Sequence, residues 1–229
     1  MTTSAQYSID HQLLELPHLS QGKRQRQFKA LLLIVHQGGG LLQLGRHYYP
    51  LAGNDIVFLP ADTLFAWHRF AHSRVSQLTF SPRLALPTQA GRITSAPLLL
   101  AGAARLADWQ GSQDWQGAYG RLCRVVHDEL QCSQPRHMTN STPLLKTISD
   151  NIADFSLTSA QETEFKRSFS ADSHTIKQQC ALLLVLRDLA KSPQLEQLVQ
   201  RHGFASVAQF EQACSHWLGT GDDTDAKNK

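Results

Sequence analysis

The chain changes its hydrophobic rhythm part-way along. Between residues 28 and 80 the apolar positions come in short runs, KALLLIV, GLLQL, DIVFL and VSQLTF, divided by the turn signals GGG, LAGND and LPAD. Short runs at near-regular spacing predict the strands of a small barrel or sandwich. The glycines at 38 to 40 have neither the lysine nor the helix start of a phosphate loop and read as a turn. After Pro87 a longer period takes over. Ser95 as a cap and Pro97 in the first turn open a helix through LLLAGAARLADW. A second helix is expected over about 112 to 131, with Trp115, Tyr119, Leu122, Val126 and Leu130 on one stripe and Gly117 and Gly120 weakening it.

The polar stretch QCSQPRHMTNST, 131 to 142, sets a boundary between residues 1–134 and 135–229. Beyond it the pattern is helical throughout and is expected to fold as a separable unit. Thr142 and Pro143 start LLKTISDNIADF, with Leu145, Ile148 and Ile152 on its stripe, and Thr158 or Ser159 starts AQETEFKRSF, anchored by Phe165 and Phe169. A long helix follows Thr175. The last pair carries Leu195, Leu198 and Val199, then Val207, Phe210, Cys214 and Trp217, with Gly203 ending the first helix and Ser206 capping the second. The fold class is therefore α+β, strands first and two helix-turn-helix pairs last, bridged by one long helix.

Composition narrows the picture. A chain of 229 residues with 41% hydrophobic content can bury a core. The start MTTSAQYSID has no basic or apolar leader, and no apolar run is long enough to span a bilayer, so a cytoplasmic protein without membrane contact is expected. Four separated cysteines without CxxC spacing read as reduced thiols. The net charge of +3 favours nucleic acid, but residues 135 to 229 carry ten Lys/Arg against eleven Asp/Glu. Phosphate contacts must then come from local clusters.

The histidines do not pair. His36, His47, His68 and His72 stand apart on different strands or turns, which predicts no metal, no catalytic centre and no cofactor. Tyr48, Tyr49, Trp67 and His68 offer a lining for a small-molecule effector in a barrel, with strand alternation turning only some of them inward. On the last helix, with Phe210 inward, Ala208 and Gln212 point away while Gln209 and Glu211 flank; with Phe165 inward, Thr163, Lys166 and Arg167 point outward and Glu162 and Glu164 lie beside them. Arg201 and Lys177 are further phosphate candidates.

The stretch GFASVAQFEQACSHWLG, together with FKRSF, KQQCALLLVLRDLA, GGGLLQLGRHYYPLAGNDIVFLPADTLFAW and RLCRVVHDEL, resembles the AraC/XylS transcriptional regulators. The chain departs from that pattern at Ala181, Val185 and Phe65. The resemblance implies a cupin-like sensor barrel, a helical coupling segment and a double helix-turn-helix domain. It implies double-stranded DNA, a small-molecule effector, RNA polymerase and a second copy of the chain as partners. DNA contacts fall to Thr163, Lys166 and Arg167 on the first recognition helix and to Ser206, Ala208, Gln209 and Gln212 on the second. A relative that acts through protein contacts instead of DNA, and more remotely a cupin enzyme, are the alternatives.

Overall fold

The computed structural model describes residues 8–94, 96–139, 142–152, 154–191 and 194–218. Ser95, expected to cap the first helix, and the tail from Gly219 onward lie outside the described residues. The strands are β1 (Ile9–Leu16), β2 (Gln25–Arg26), β3 (Ala30–Gln37), β4 (Gly39–Leu44), β5 (His47–Ala52), β6 (Ile56–Leu59), β7 (Leu64–Arg69), β8 (Ser73–Phe80) and β9 (Gly91–Arg92). They form two antiparallel sheets, ordered β1-β8-β3-β6-β9 and β2-β7-β4-β5. The inner faces meet through Leu31, Leu33, Val35, Leu42, Leu51, Val57, Leu59, Phe65, Trp67 and Val75, which fill the barrel.

Both sheets are covered on their outer faces as well. The outward side of the first, Leu32, Ile34, Phe58, Leu78 and Phe80, packs on Leu99, Ala103, Leu106, Tyr119, Cys123, Val126 and Leu130 of helices α1 (Pro97–Ala107) and α2 (Ala118–Cys132). This explains why ALLLIV is apolar without alternation: β3 has hydrophobic layers on either side. Sequence pattern missed β1, an edge strand whose IDHQLLEL mixes polar and apolar residues. The second helix also begins later than expected. Gly117 is its extended N-cap, Trp115 precedes it, and a Cβ on Gly120 would run into the Trp115 carbonyl. The two glycines thus shape the entry to α2.

The glycine turn needs a similar correction. Gly38 alone has the left-handed φ of 70°, while Gly39 and Gly40 belong to β4. A side chain at Gly39 would strike the Leu51 carbonyl and crowd Phe169, and one at Gly40 would strike the His68 carbonyl and the Trp67 ring. Their role is close approach between layers.

Helices α3 (Pro143–Asp150), α4 (Ser159–Phe169), α5 (Ser173–Leu189), α6 (Leu195–Arg201) and α7 (Val207–Trp217) form the last layer. Thr142, Thr158, Asp172 and Ser206 each accept a backbone N–H at an N-cap. Gly203 takes a φ of 89° between α6 and α7. The core of these helices does not stop at the domain boundary drawn from sequence: Leu19, Leu41, Ala52, Phe70 and Ala71 of the barrel belong to the same cluster as Leu144, Ile148, Phe155, Phe165, Phe169, Leu183 and Trp217.

Candidate nucleic-acid interface

Helix α4 buries Phe165 and Phe169 and leaves Thr163, Glu164, Lys166 and Arg167 exposed. Phe165 stacks between Phe155 and Phe169, at 5.7 and 4.5 Å between ring centroids, and this fixes the roll of the helix. A shallow cleft on the outward side is bordered by Leu157, Ser159, Glu162, Thr163, Lys166 and Arg167. Lys166 and Arg167 form no ion pair among the described residues. Glu162 is occupied: its Oε1 accepts the Ser173 N–H at 2.9 Å, at the start of α5. A carboxylate there complements the helix dipole, so Glu162 is a structural group rather than a charge presented outward. Glu164 remains exposed.

Helix α7 buries Phe210 and Trp217 and exposes Ala208, Gln209, Glu211 and Gln212. Phe204 meets Phe210 edge-on at 5.6 Å, so the Gly-Phe turn seats the helix. Ser206 Oγ accepts the Gln209 N–H at 3.2 Å, and Gln209 Oε1 accepts the Ala205 N–H at 2.7 Å. This reciprocal cap commits the oxygens of Ser206 and Gln209. A glutamine reads adenine with its carbonyl and its amide together. Gln212, whose side chain makes no hydrogen bond among the described residues, keeps both.

Both outward-facing helices end against the barrel. The Gly53 N–H donates to the Ser168 carbonyl at 2.9 Å, and the Leu19 N–H donates to the Trp217 carbonyl at 2.7 Å. Each bond satisfies a last-turn carbonyl that the helix itself leaves unpaired. The Ala71 N–H donates to Oε1 of the buried Gln179 at 2.8 Å, and Ser149 Oγ donates to the Tyr48 carbonyl at 2.9 Å.

Strand alternation divides the four residues proposed to line a ligand cavity. Trp67 and Tyr49 join the packing inside the barrel, whereas Tyr48 and His68 lie on the opposite face of the same sheet, 6.1 Å apart, towards α5. The Tyr48 hydroxyl accepts from Arg187 Nη1 at 3.3 Å. Burial, reinforced by Arg187 and Arg69, pushes His68 down to about 4. Neither His68 ring nitrogen has a hydrogen-bond partner among the described residues. Two other histidines do meet: His11 and His36 approach Ser76 Oγ, a contact that spacing along the chain hid because β1 and β3 flank β8. Among the described residues no three His, Cys, Asp or Glu side chains come together as a metal site. Among the described residues no helix is long and apolar enough to cross a membrane.

No protein-family model and no curated protein matches the chain. Among solved structures it is similar to ToxT from Vibrio cholerae, with 10% identity, a TM-score of 0.35 and coverage of 92% of this chain and 95% of that one. It is similar to the AraC-like transcriptional activator CuxR at 9% identity and a TM-score of 0.40, over 82% of this chain and 61% of CuxR. A cupin superfamily protein from Desulfitobacterium hafniense matches 35% of this chain and 74% of its own, at 16% identity and a TM-score of 0.32.

Proposed function

We propose that the chain is a DNA-binding transcriptional regulator of the AraC type, composed of a sensor unit, residues 1–134, and a DNA-binding unit, residues 135–229. The observation that carries this reading is the pair α4 and α7. Each is an amphipathic helix with its aromatic anchors buried, its polar face exposed and its last turn fastened to the barrel. In this reading α4 presents Thr163, Lys166 and Arg167, and α7 presents Ala208 and Gln212 with the Gln209 amide, to successive major-groove segments. Ser206 contributes through the cap that orients the first turn of α7. The barrel takes the sensor role, with Tyr49 and Trp67 on its inner wall and Tyr48 and His68 at the sheet-to-helix junction.

Binding-site selection from a random duplex pool, followed by fluorescence anisotropy, tests the reading. Gln212→Ala is expected to weaken the selected site about tenfold or more while leaving scrambled DNA nearly unchanged, because a bidentate base contact is worth about 1–3 kcal/mol. Equal losses on both sequences would remove base readout from α7. The excess of one acidic residue over the basic ones in 135–229 supports a second reading, a regulator that works through protein contacts. That reading is adopted if the chain binds no duplex at low salt.

A further inference from the structure

The positive charge of the chain is concentrated in one place. Residues 16–54 hold five Lys/Arg and no Asp or Glu, so the remainder carries two more acids than bases. Lys23, Arg24, Arg26 and Lys29 lie along and beside β2, the edge strand of the second sheet, and Arg46 lies in the turn between β4 and β5. Strand pairing brings these places together. Arg26 is opposite Leu64, Phe65 opposite Leu44, and Leu44 opposite His47, so the links that follow β2 and β4 share one end of the barrel with the turn at 60–63. These cations form no ion pair among the described residues, and Asp62 is the acid of the 60–63 turn. Phe28, between Arg26 and Lys29, is 77% exposed, the most exposed large apolar side chain among the described residues.

The other end of the barrel is the one that holds the helices. Leu19, Gly53 and Ala71 lie there, and their N–H groups donate to Trp217, Ser168 and Gln179. The basic end is a second surface, apart from the last turns of α4 and α7. What fits it must bring negative charge to the cations and an apolar medium to Phe28. A second copy meeting this end with its own would set like charges face to face. A duplex would satisfy the cations and leave the ring in water. A single strand stacks successive bases on successive aromatics, whereas Phe28 is the one exposed Phe, Tyr or Trp among the described residues. An anionic bilayer offers phosphates at its face and hydrocarbon a few ångströms beneath.

We propose that the β2 end of the barrel docks on an anionic lipid surface, with Phe28 entering the acyl boundary and Lys23, Arg24, Arg26, Lys29 and Arg46 meeting the lipid phosphates. The expectation of no membrane contact rests on the lack of a spanning run, which bears on crossing a bilayer and not on docking at its face. This surface does not depend on the DNA-binding reading.

The test is sedimentation of the full chain with vesicles of phosphatidylcholine, alone or with about one third phosphatidylglycerol. The wild type is expected to sediment with the anionic vesicles only, and less as salt rises. Each Lys or Arg near an anionic leaflet is worth about fivefold in partitioning, so Arg24→Gln/Arg26→Gln should lower it about thirtyfold. Phe28→Ser should lower it about tenfold and keep the salt dependence. Lys166→Gln/Arg167→Gln, which removes the same charge from α4, should leave it unchanged. Phe28→Trp should add tryptophan emission that lipids brominated on their acyl chains quench. No sedimentation of the wild type at low salt overturns the proposal, as does an equal loss in the α4 variant. Unchanged partitioning of Phe28→Ser together with no added quenching in Phe28→Trp overturns insertion. If Arg24→Gln/Arg26→Gln loses duplex binding as steeply as vesicle binding, the surface is a general polyanion site and the lipid assignment falls. Each of these outcomes leaves the base readout assigned to Gln212 to be judged by its own experiment.

Discussion

Ser76 has one hydroxyl hydrogen and two histidines to satisfy. His11 Nε2 and His36 Nε2 lie 2.9 and 2.7 Å from its Oγ, so at most one ring accepts the hydroxyl hydrogen and at least one donates to the oxygen. Burial, with His36 as the second cause, pushes His11 down to about 4; burial and then Arg74 lower His36, against an opposing effect of Asp108. As pH falls below about 6.5 the unfolded chain takes up protons that the folded chain refuses. Stability is therefore lost between about pH 6.5 and 4, by an amount on the order of 3 kcal/mol for His11 once both states are protonated. Urea unfolding at pH 7, 5.5 and 4.5 should show a shallower pH dependence for His11→Gln than for the wild type. Parallel curves would mean that His11 carries its charge in the fold. The sequence could not reveal this cluster, since β-pairing brings residues from three strands onto one sheet face.

At the level of single elements the sequence was most readable where a local signal has a local cause. The helix caps Thr142, Thr158 and Ser206 and the left-handed Gly203 follow from short motifs whose partners lie within a few residues. The outward faces of α4 and α7 followed from period alone, and Thr163, Lys166, Arg167, Ala208, Gln209 and Gln212 are all exposed. What period could not show is which exposed group is already engaged. Glu162 was legible as an acid beside the outward face of α4, but its bond to Ser173 spans 11 residues and depends on how α4 and α5 meet. The three acids near the outward faces of α4 and α7 should therefore behave differently. On the proposed DNA-binding reading, Glu164→Gln/Glu211→Gln is expected to tighten binding to random duplex at low salt, with the gain shrinking as salt rises. Glu162→Gln should instead lower stability by about 0.3–1 kcal/mol through the weaker cap on α5, measurable by urea unfolding. An unchanged midpoint for Glu162→Gln would separate that carboxylate from the stability of α5.

Across the whole molecule, the boundary at 134/135 follows a change in sequence character, while the core crosses it. Phe169, on α4, is 1% exposed and meets Phe70 of the barrel at 6.3 Å between centroids. Phe169→Ala is expected to cost about 3–5 kcal/mol and to lower one shared unfolding transition, followed in parallel by far-UV circular dichroism and tryptophan fluorescence. Two separated transitions would show that the halves unfold independently. The same shared core predicts that residues 143–219 alone, with Leu145, Phe169, Leu183 and Trp217 stripped of their barrel neighbours, fall short of the stability they have in the full chain. Pattern along the chain could rank residues as apolar, but which layer each one faces is set by the stacking of two sheets between two sets of helices.

The two hydrogen bonds from Gly53 to Ser168 and from Leu19 to Trp217 work like the pins of a hinge plate. Both outward-facing helices are pinned by their tail ends to one frame, so each takes its position from the barrel. The spacing of the two helices is thus written in the barrel, as the spacing of a key's teeth is written in its blade.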